Sequence, residues 1–204
     1  MEAFGSRGGW IEVITGGMFS GKSEELIRRI RRAEIARQRT QIFKPTIIDA
    51  RFELKRVTSR DNRGLDAIPV KNASDLRIKV LLGVKVLGID EVQFFDNDIV
   101  DVCTELADGG VRVIVAGLDQ DYLRRAFGPM PALMAAAEEV SKMHAVCVRC
   151  GGLAHYTQRV AGGNSQIEFG DETYEARCRV CYERYLAGVE SKGQPTEQQI
   201  KAAP

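Results

Sequence analysis

Residues 10–26, "WIEVITGGMFSGKSEEL", restrict the possible folds more than any other stretch of the chain. They place G-x-x-x-x-G-K-S between a β-rich run and a helix-like segment, the context that a phosphate loop requires. Across Gly16, Gly17, Met18, Phe19, Ser20 and Gly21 the glycines let the backbone curl until successive N–H groups converge on phosphate oxygens. The helix starting near Lys22 adds its positive end, Lys22 reaches the β- and γ-phosphates, and the Ser23 hydroxyl can ligate Mg²⁺. The bland alternative is a glycine-rich turn that happens to precede a helix. With strand and helix both in place, the stretch points to nucleoside triphosphate binding.

The rest of the chain repeats that alternation. Short β-rich runs at "WIEVIT", "QIFKP", "KVLGID" and "VRVIVAGLD" alternate with helix-like "KSEELIRRIRRAEIARQ", "ASDLRIKVLL", "FDNDIVDVCTELADGG" and "PALMAAAEEV". Strand, helix, strand, helix predicts an α/β fold, a phosphate-loop core with a mostly parallel sheet. Residues 1–9 and 187–204 read as flexible tails, 10–141 as the nucleotide-binding domain, and 142–186, which holds the paired cysteines Cys147/Cys150 and Cys178/Cys181, as a small zinc-binding lid subdomain. In the helix after the loop, Leu26, Ile30 and Ala33 share one face, so most of its arginines belong to the solvated side rather than to a nucleic-acid patch.

"KVLGIDEVQFF", residues 85–95, ends an apolar run in two adjacent carboxylates. A phosphate-loop enzyme needs a second strand that ends in Asp to hold the water shell of Mg²⁺, and Asp90 supplies it. Successive side chains on an extended segment point to opposite sides, so Glu91 is expected to face something else. One residue beyond the metal site, it can orient an attacking oxygen and accept its proton. The pair alone says phosphoryl transfer and leaves open whether water or an alcohol attacks.

Cys147-x₂-Cys150 and Cys178-x₂-Cys181 have the spacing of a tetrahedral Zn²⁺ site of four thiolates. Two matched pairs argue against redox chemistry at a single CxxC. The insert between them exceeds the ~15–20 residues of the usual ribbon pattern. Closing a long loop on one ion lowers its entropic cost while its tip stays free, which suits a lid. "HYTQRVAGGNSQIEFGDETY" offers Tyr156, Thr157, Phe169 and Tyr174 to cover a flat polar ligand. His144 and His155 are assigned surface or packing roles because the cysteines already complete four-coordination, and Cys103 reads as a buried helix residue.

At 204 residues with 44% hydrophobic and 28% charged content, the chain has the makings of a globular core. A net charge of +1 gives no general pull toward nucleic acid or membrane. No apolar run approaches a membrane span, and "MEAFGSRGGW" lacks a signal peptide's apolar region, so a cytoplasmic location is expected.

Taken together, "GGMFSGKS", "GIDEVQFF", "VAGLDQDYLRRAFGPMPAL" and "YEARCRVCY" resemble the type II thymidine kinase family, the class that includes the cytosolic human enzyme, from about Trp10 to Tyr185. The resemblance implies transfer of the γ-phosphoryl group of ATP, with Mg²⁺, to the 5′-hydroxyl of thymidine in nucleoside salvage for DNA synthesis, with Glu91 as base. It implies that Gly16 to Ser23 bind ATP and that Asp90, Glu91, Val92 and Gln93 line the same site. Arg51 matches a family arginine near the transferring phosphate. Met18, Phe94, Leu118, Tyr122, Phe127, Thr157 and Tyr174 fall where the family packs or caps the nucleoside. A structural Zn²⁺ and a homotetramer are further family expectations. "IEFGDETY" carries Phe169 where the family is often richer in paired glycines, so no main-chain base contact is assigned there.

The rival reading is a nucleic-acid-dependent ATPase with a zinc ribbon. Such motors usually need two ATPase lobes, whereas this chain has room for one, and the +1 charge lacks their electrostatic footprint. A zinc-ribbon interaction module with a degenerate nucleotide site is disfavoured by intact Lys22, Ser23, Asp90 and Glu91.

Overall fold

The computed structural model describes residues 8–46, 56–58, 64–161 and 173–188. Apart from residues 8, 9, 187 and 188, the two expected tails lie outside the described residues. In chain order the elements are β1 (Trp10–Thr15), α1 (Lys22–Ile35), β2 (Thr40–Pro45), β3 (Arg56–Thr58), β4 (Gly64–Asp66), β5 (Ile68–Val70), α2 (Ala73–Lys79) and β6 (Val86–Ile89). A 3₁₀ turn (Val92–Phe94) precedes α3 (Ile99–Asp108), β7 (Arg112–Gly117), α4 (Met130–Ala136), β8 (Glu139–Lys142), β9 (Ala145–Val146), β10 (Leu153–Ala154), β11 (Tyr156–Arg159), β12 (Tyr174–Arg177) and α5 (Arg179–Leu186).

These elements form two compact units. The first is drawn from within Met1–Thr15, Gly21–Leu118 and Phe127–Lys142, the second from within Gly16–Ser20, Asp119–Ala126 and Met143–Pro204.

The first unit is built on a six-stranded sheet in the order β5-β2-β6-β7-β1-β8, with every neighbouring pair parallel. This is the α/β architecture that the alternating pattern predicts. The central strands β6 and β7 are buried on both faces, which is why they read as unbroken apolar runs rather than alternating ones. Val113 and Val115 join Ile11, Val13, Leu87 and Ile89 in a core with Leu76 of α2, Val102 and Cys103 of α3, and Leu133 of α4. On α1, Leu26, Ile30 and Ala33 are buried as their spacing predicts. A Cβ at Gly88 would come 3.1 Å from Ile30 Cδ1, so glycine lets α1 lie close against β6. Cys103 is buried, and burial pushes its thiol up to about 12. Among the described residues no helix is long and apolar enough to cross a membrane.

Two helices stop earlier than their sequence pattern suggests, and tertiary contacts explain both. α2 ends at Lys79 rather than continuing through "VLL" because Gln41 of β2 holds its end: Gln41 Nε2 donates to the Lys79 carbonyl at 3.1 Å and the Leu81 N–H donates to Gln41 Oε1 at 2.7 Å. In "PALMAAAEEV" the helix ends at Ala136, and Glu139 and Val140 start β8 instead. The free edge of β1 recruits this segment: the Glu138 N–H donates to the Ile11 carbonyl at 3.1 Å, and its carboxylate accepts the Ile11 N–H at 2.7 Å. Alanine and glutamate favour helix, but a strand edge with unpaired backbone groups outweighs that preference.

Glu12 is an acid within the buried sheet, 2% exposed. Its carboxylate accepts from Arg29 Nη1 at 2.5 Å, from Arg112 Nε at 2.5 Å and Nη2 at 3.0 Å, and from Trp10 Nε1 at 2.7 Å. Arg29 also meets Glu25 and Glu139, and so is an exception to the solvated face expected for most arginines of this helix. Burial alone would raise the Glu12 pKa, but the hydrogen bonds from Arg112 and Arg29 outweigh it and hold the carboxyl below its ordinary value. The hydrogen bond from Arg28, reinforced by Arg29, takes Glu25 down to about 2.

Because both folded-state values lie below the unfolded value of 4.5, this stabilisation is complete above about pH 4.5 and is lost as the pH falls toward 2. Urea unfolding followed by the fluorescence of Trp10, the chain's one tryptophan, is expected to show that acid-side decline. Glu12→Gln should lower the unfolding free energy at neutral pH by about 3 kcal/mol, the cost of leaving buried charge uncompensated, and flatten the decline. Unchanged stability in the variant would mean that the network is energetically idle.

Candidate active site

The phosphate loop changes unit partway along its length: Gly16–Ser20 belong to the second unit, and Gly21 opens α1 in the first. Gly16 has φ 143, and a Cβ there would stand 2.3 Å from the Met143 carbonyl oxygen, so both conformation and space require glycine. Phe19 takes a left-handed conformation, φ 67, and Ser20 Oγ donates to the Gly17 carbonyl at 2.8 Å, which closes the turn. Gly21, φ 83, caps α1 without a side chain. The N–H groups of a helix's first turn have no intrahelical acceptors, which is why such a helix start suits an anion.

Within the first unit Ser23 Oγ lies 3.3 Å from each Asp90 carboxylate oxygen, with Asp90 just past β6 and its N–H donating to Phe43 O at 3.0 Å. Loop serine and strand-end aspartate are thus paired, the two groups that would share a divalent cation. Burial pushes the Asp90 carboxyl up to about 7; the neighbouring charge of Glu91 adds to the rise, and the positive charges of Lys44 and Lys22 oppose it. Lys44, buried in β2, is a cation that the motifs do not reveal. Its only sequence signal is a lysine near the end of the apolar run "QIFKP".

Glu91 departs from the expected geometry. It sits at φ 53, ψ 39, so the alternation of an extended strand does not govern where it points. A left-handed glutamate costs of order 1–3 kcal/mol and persists only where its surroundings over-determine it. Here the 3₁₀ turn of Val92–Phe94 follows directly, the Phe94 N–H donates to the Glu91 carbonyl at 3.1 Å, and Val92 is fully buried. Gln93 Nε2 donates to Glu91 Oε2 at 2.6 Å. Leu118 follows β7, and its N–H donates to Gln93 Oε1 at 3.1 Å. Phe94 and Phe127 meet edge to face with ring centroids 5.5 Å apart, both in the first unit.

The second unit groups the remaining expected residues. The Met18 N–H donates to Thr157 Oγ1 at 3.0 Å, and a Cβ at Gly17 would lie 3.2 Å from the His155 carbonyl oxygen, so the first half of the loop rests on β11. Tyr122 and Tyr174 are joined through Arg159, whose guanidinium lies 3.6 Å over the Tyr122 ring and whose Nη2 donates to the Tyr174 hydroxyl at 2.8 Å. The motifs do not point to Arg159, because a lone arginine in "YTQRV" carries no spacing signal. The hairpin containing Tyr122 is held by Asp121, which accepts the N–H groups of Leu123 and Arg125, each at 2.9 Å, and by Tyr182, whose hydroxyl donates to the Tyr122 carbonyl at 2.6 Å. His144 and His155 are exposed and stack edge to face at 4.3 Å. Arg51 and Phe169 lie outside the described residues.

Also in the second unit, the sulfurs of Cys147, Cys150, Cys178 and Cys181 lie within 4.8 Å of one another, and those of Cys150 and Cys178 are 3.7 Å apart. Four thiolates around a tetrahedral Zn²⁺ at ~2.3 Å stand about 3.8 Å apart, so the cluster fits that ion. Local backbone presents the sulfurs: Gly151, φ 74, turns the first pair, and Cys178 caps α5. Burial raises the Cys147 thiol, but the N–H groups of Cys178, Arg149 and Cys150 overcome this and bring it to about 7, whereas burial and the neighbouring sulfurs of Cys178 and Cys150 hold the Cys181 thiol well above its ordinary value.

Residues 9–182 match the family described as thymidine kinase. The chain is 50% identical to the thymidine kinase of Bacteroides fragilis over 181 residues, 88% of this chain and 90% of that protein. It is 54% identical to that of Bdellovibrio bacteriovorus over 172 residues, 84% of each, and 51% identical to that of Porphyromonas gingivalis over 179 residues, 87% of each. The Pif1 helicase of Candida albicans matches at a TM-score of 0.43 and 15% identity, covering 66% of this chain and 36% of its own, a likeness too slight to carry an argument. Identity at this level along nearly the whole chain, rather than in the phosphate loop alone, places this protein in the thymidine kinase family.

Proposed function

We propose that this protein phosphorylates thymidine: the γ-phosphoryl group of ATP passes to the 5′-hydroxyl, giving the 5′-monophosphate and ADP for nucleoside salvage. Gly16 to Ser23 bind the triphosphate through loop N–H groups and Lys22. Ser23 and Asp90 hold Mg²⁺, which when bound screens the phosphate charge. Glu91 accepts the hydroxyl proton as the new O–P bond forms and the bond to ADP breaks. Val92 and Gln93 line the ATP side, and Arg51 is assigned beside the transferring phosphate. Met18, Phe94, Leu118, Tyr122, Phe127, Thr157 and Tyr174 are assigned to the nucleoside, with residues 142–186 as its zinc-anchored lid. The reading extends to a homotetramer in the cytoplasm that takes neither nucleic acid nor membrane as a partner. Its main support is the match along nearly the whole chain to thymidine kinases, joined to a strand-end Asp90 paired with the loop serine.

Labelled ATP supplied with thymidine, with DNA, or with neither tests the reaction. Label on thymidine is expected, and phosphate release stimulated by DNA would favour the rival ATPase. Glu91→Gln should keep ATP affinity and lose transfer by about 10²–10⁴-fold, the usual worth of a positioned base. A near-normal rate would place the proton acceptor elsewhere.

Selectivity at the base follows from the same reading. A methyl pocket separates thymine from uracil by only ~1–3 kcal/mol, so deoxyuridine is expected to be a second substrate. Deoxycytidine reverses the donor and acceptor and should compete poorly, because buried polar groups would be left unpaired. Equal competition by deoxycytidine would refute this.

Removing zinc is expected to reach the nucleotide as well as the nucleoside, because Gly16–Ser20 fold with the cysteine unit. Cys150→Ser alters an exposed ligand and little packing. It should lower zinc content measured by atomic emission and weaken ATP binding measured by calorimetry without nucleoside. Undiminished ATP affinity in zinc-free protein would count against this coupling.

A further inference from the structure

The carboxylate assigned as base stands on a backbone conformation that glutamate rarely adopts, so something must hold both the turn and the side chain. Gln93 is 2% exposed, and both ends of its amide are engaged. The orientation of that amide follows from its partners. The Leu118 N–H can only donate, so it must face Oε1; the Glu91 carboxylate can only accept, so it must face the NH₂ group. A flipped amide would set donor against donor and oxygen against oxygen. The 2.6 Å distance to Glu91 Oε2 is that of a short, charge-assisted hydrogen bond.

The surroundings leave room for this residue at two glycines. A Cβ at Gly117 would stand 2.7 Å from Gln93 Oε1, and one at Gly128, φ 50, would stand 2.3 Å from the Gln93 carbonyl oxygen. β7 and the segment before α4 therefore both close on Gln93. A rigid strand end fixes the amide, the amide fixes one oxygen of the carboxylate, and the other oxygen remains for an incoming hydroxyl.

We propose that Gln93 is a positioning residue for phosphoryl transfer: anchored by the Leu118 N–H, it sets the Glu91 carboxylate in the orientation in which Oε1 takes the proton of the acceptor hydroxyl. The assignment rests on the reading of Glu91 as base and deepens it. It gives Gln93 a task that acts through Glu91, beside its assigned place on the ATP side.

A double-mutant cycle with Gln93→Glu and Glu91→Gln tests the assignment. Gln93→Glu keeps an acceptor for the Leu118 N–H, but it replaces the donor that faces Glu91 with a carboxylate oxygen and so sets a second acid against that carboxylate. Alone it should lower kcat about 10- to 100-fold, the scale expected for a reacting group displaced by roughly 1 Å, with KM for thymidine within about twofold of the parent. Added to Glu91→Gln it should lower kcat no further, because the group it positions is already gone. Gln93→Met, of similar length without the donor, supplies a second arm should Gln93→Glu fail to fold, and it should show the same dependence on Glu91. A merely structural role predicts the same fractional loss in both backgrounds, and that result overturns the proposal. So does a near-parental kcat for Gln93→Glu or Gln93→Met while Glu91→Gln is inactive, an outcome that leaves Glu91 as base. Full activity in Glu91→Gln would overturn the base reading and this assignment with it.

Discussion

Parallel pairing of β7 with both β1 and β6 is the constraint on which the chemistry of the first unit depends. Thr15 stands opposite Gly117, and Ile89 opposite Val115, so three strands end at one edge of the sheet. Chain leaving β6 supplies Asp90 and Glu91, chain leaving β7 supplies the Leu118 N–H, and α1 brings Ser23 within 3.3 Å of Asp90. A shift of one residue in any of these pairings would turn alternate side chains to the other face and separate groups that now lie within hydrogen-bonding distance. Crossover connections in a parallel sheet make such an edge a natural place for ligands.

The same sheet carries an expensive feature away from that edge. Burying Glu12 with Arg29 and Arg112 means stripping water from three charged groups, and an apolar substitute can be as stable. What the network adds is direction: Arg29 ties α1 to β1 and, through Glu139 and Ser141, to the edge strand β8. The helix that carries Lys22 and Ser23 is therefore held by directional bonds as well as by the apolar contacts of Leu26 and Ile30. The second unit uses another means to the same end. Its strands are short, its buried apolar cluster consists mainly of alanine and cysteine, and the cysteine cluster with the Tyr122–Arg159–Tyr174 stack takes the place of a large core.

Features that depend on local spacing were legible before any coordinates. The glycines and lysine of the loop, the aspartate closing an apolar strand and the two CxxC pairs each work through residues a few positions apart. Features made by partners distant in sequence were not. Nothing in "DEVQFF" announces that Glu91 is left-handed, or that Gln93 beside it accepts a backbone N–H from a residue 25 positions away. "AAAEEV" becomes a strand because the edge of β1, more than a hundred residues earlier, needs a partner. Arg159 and Lys44 carry no motif, and their roles follow from which rings and charges the fold brings to them.

By itself the sequence determined that this chain is an α/β protein with a phosphate loop, a strand-end Asp-Glu pair and two cysteine pairs spaced to share a metal, since each rests on short-range geometry or periodicity. Tertiary structure alone decided that the first half of the loop folds with the cysteine unit, how Glu91 is aimed and which arginine of α1 is buried. Those choices depend on hydrogen bonds and charge pairs between segments far apart along the chain, whose energies exist only once the strands have paired.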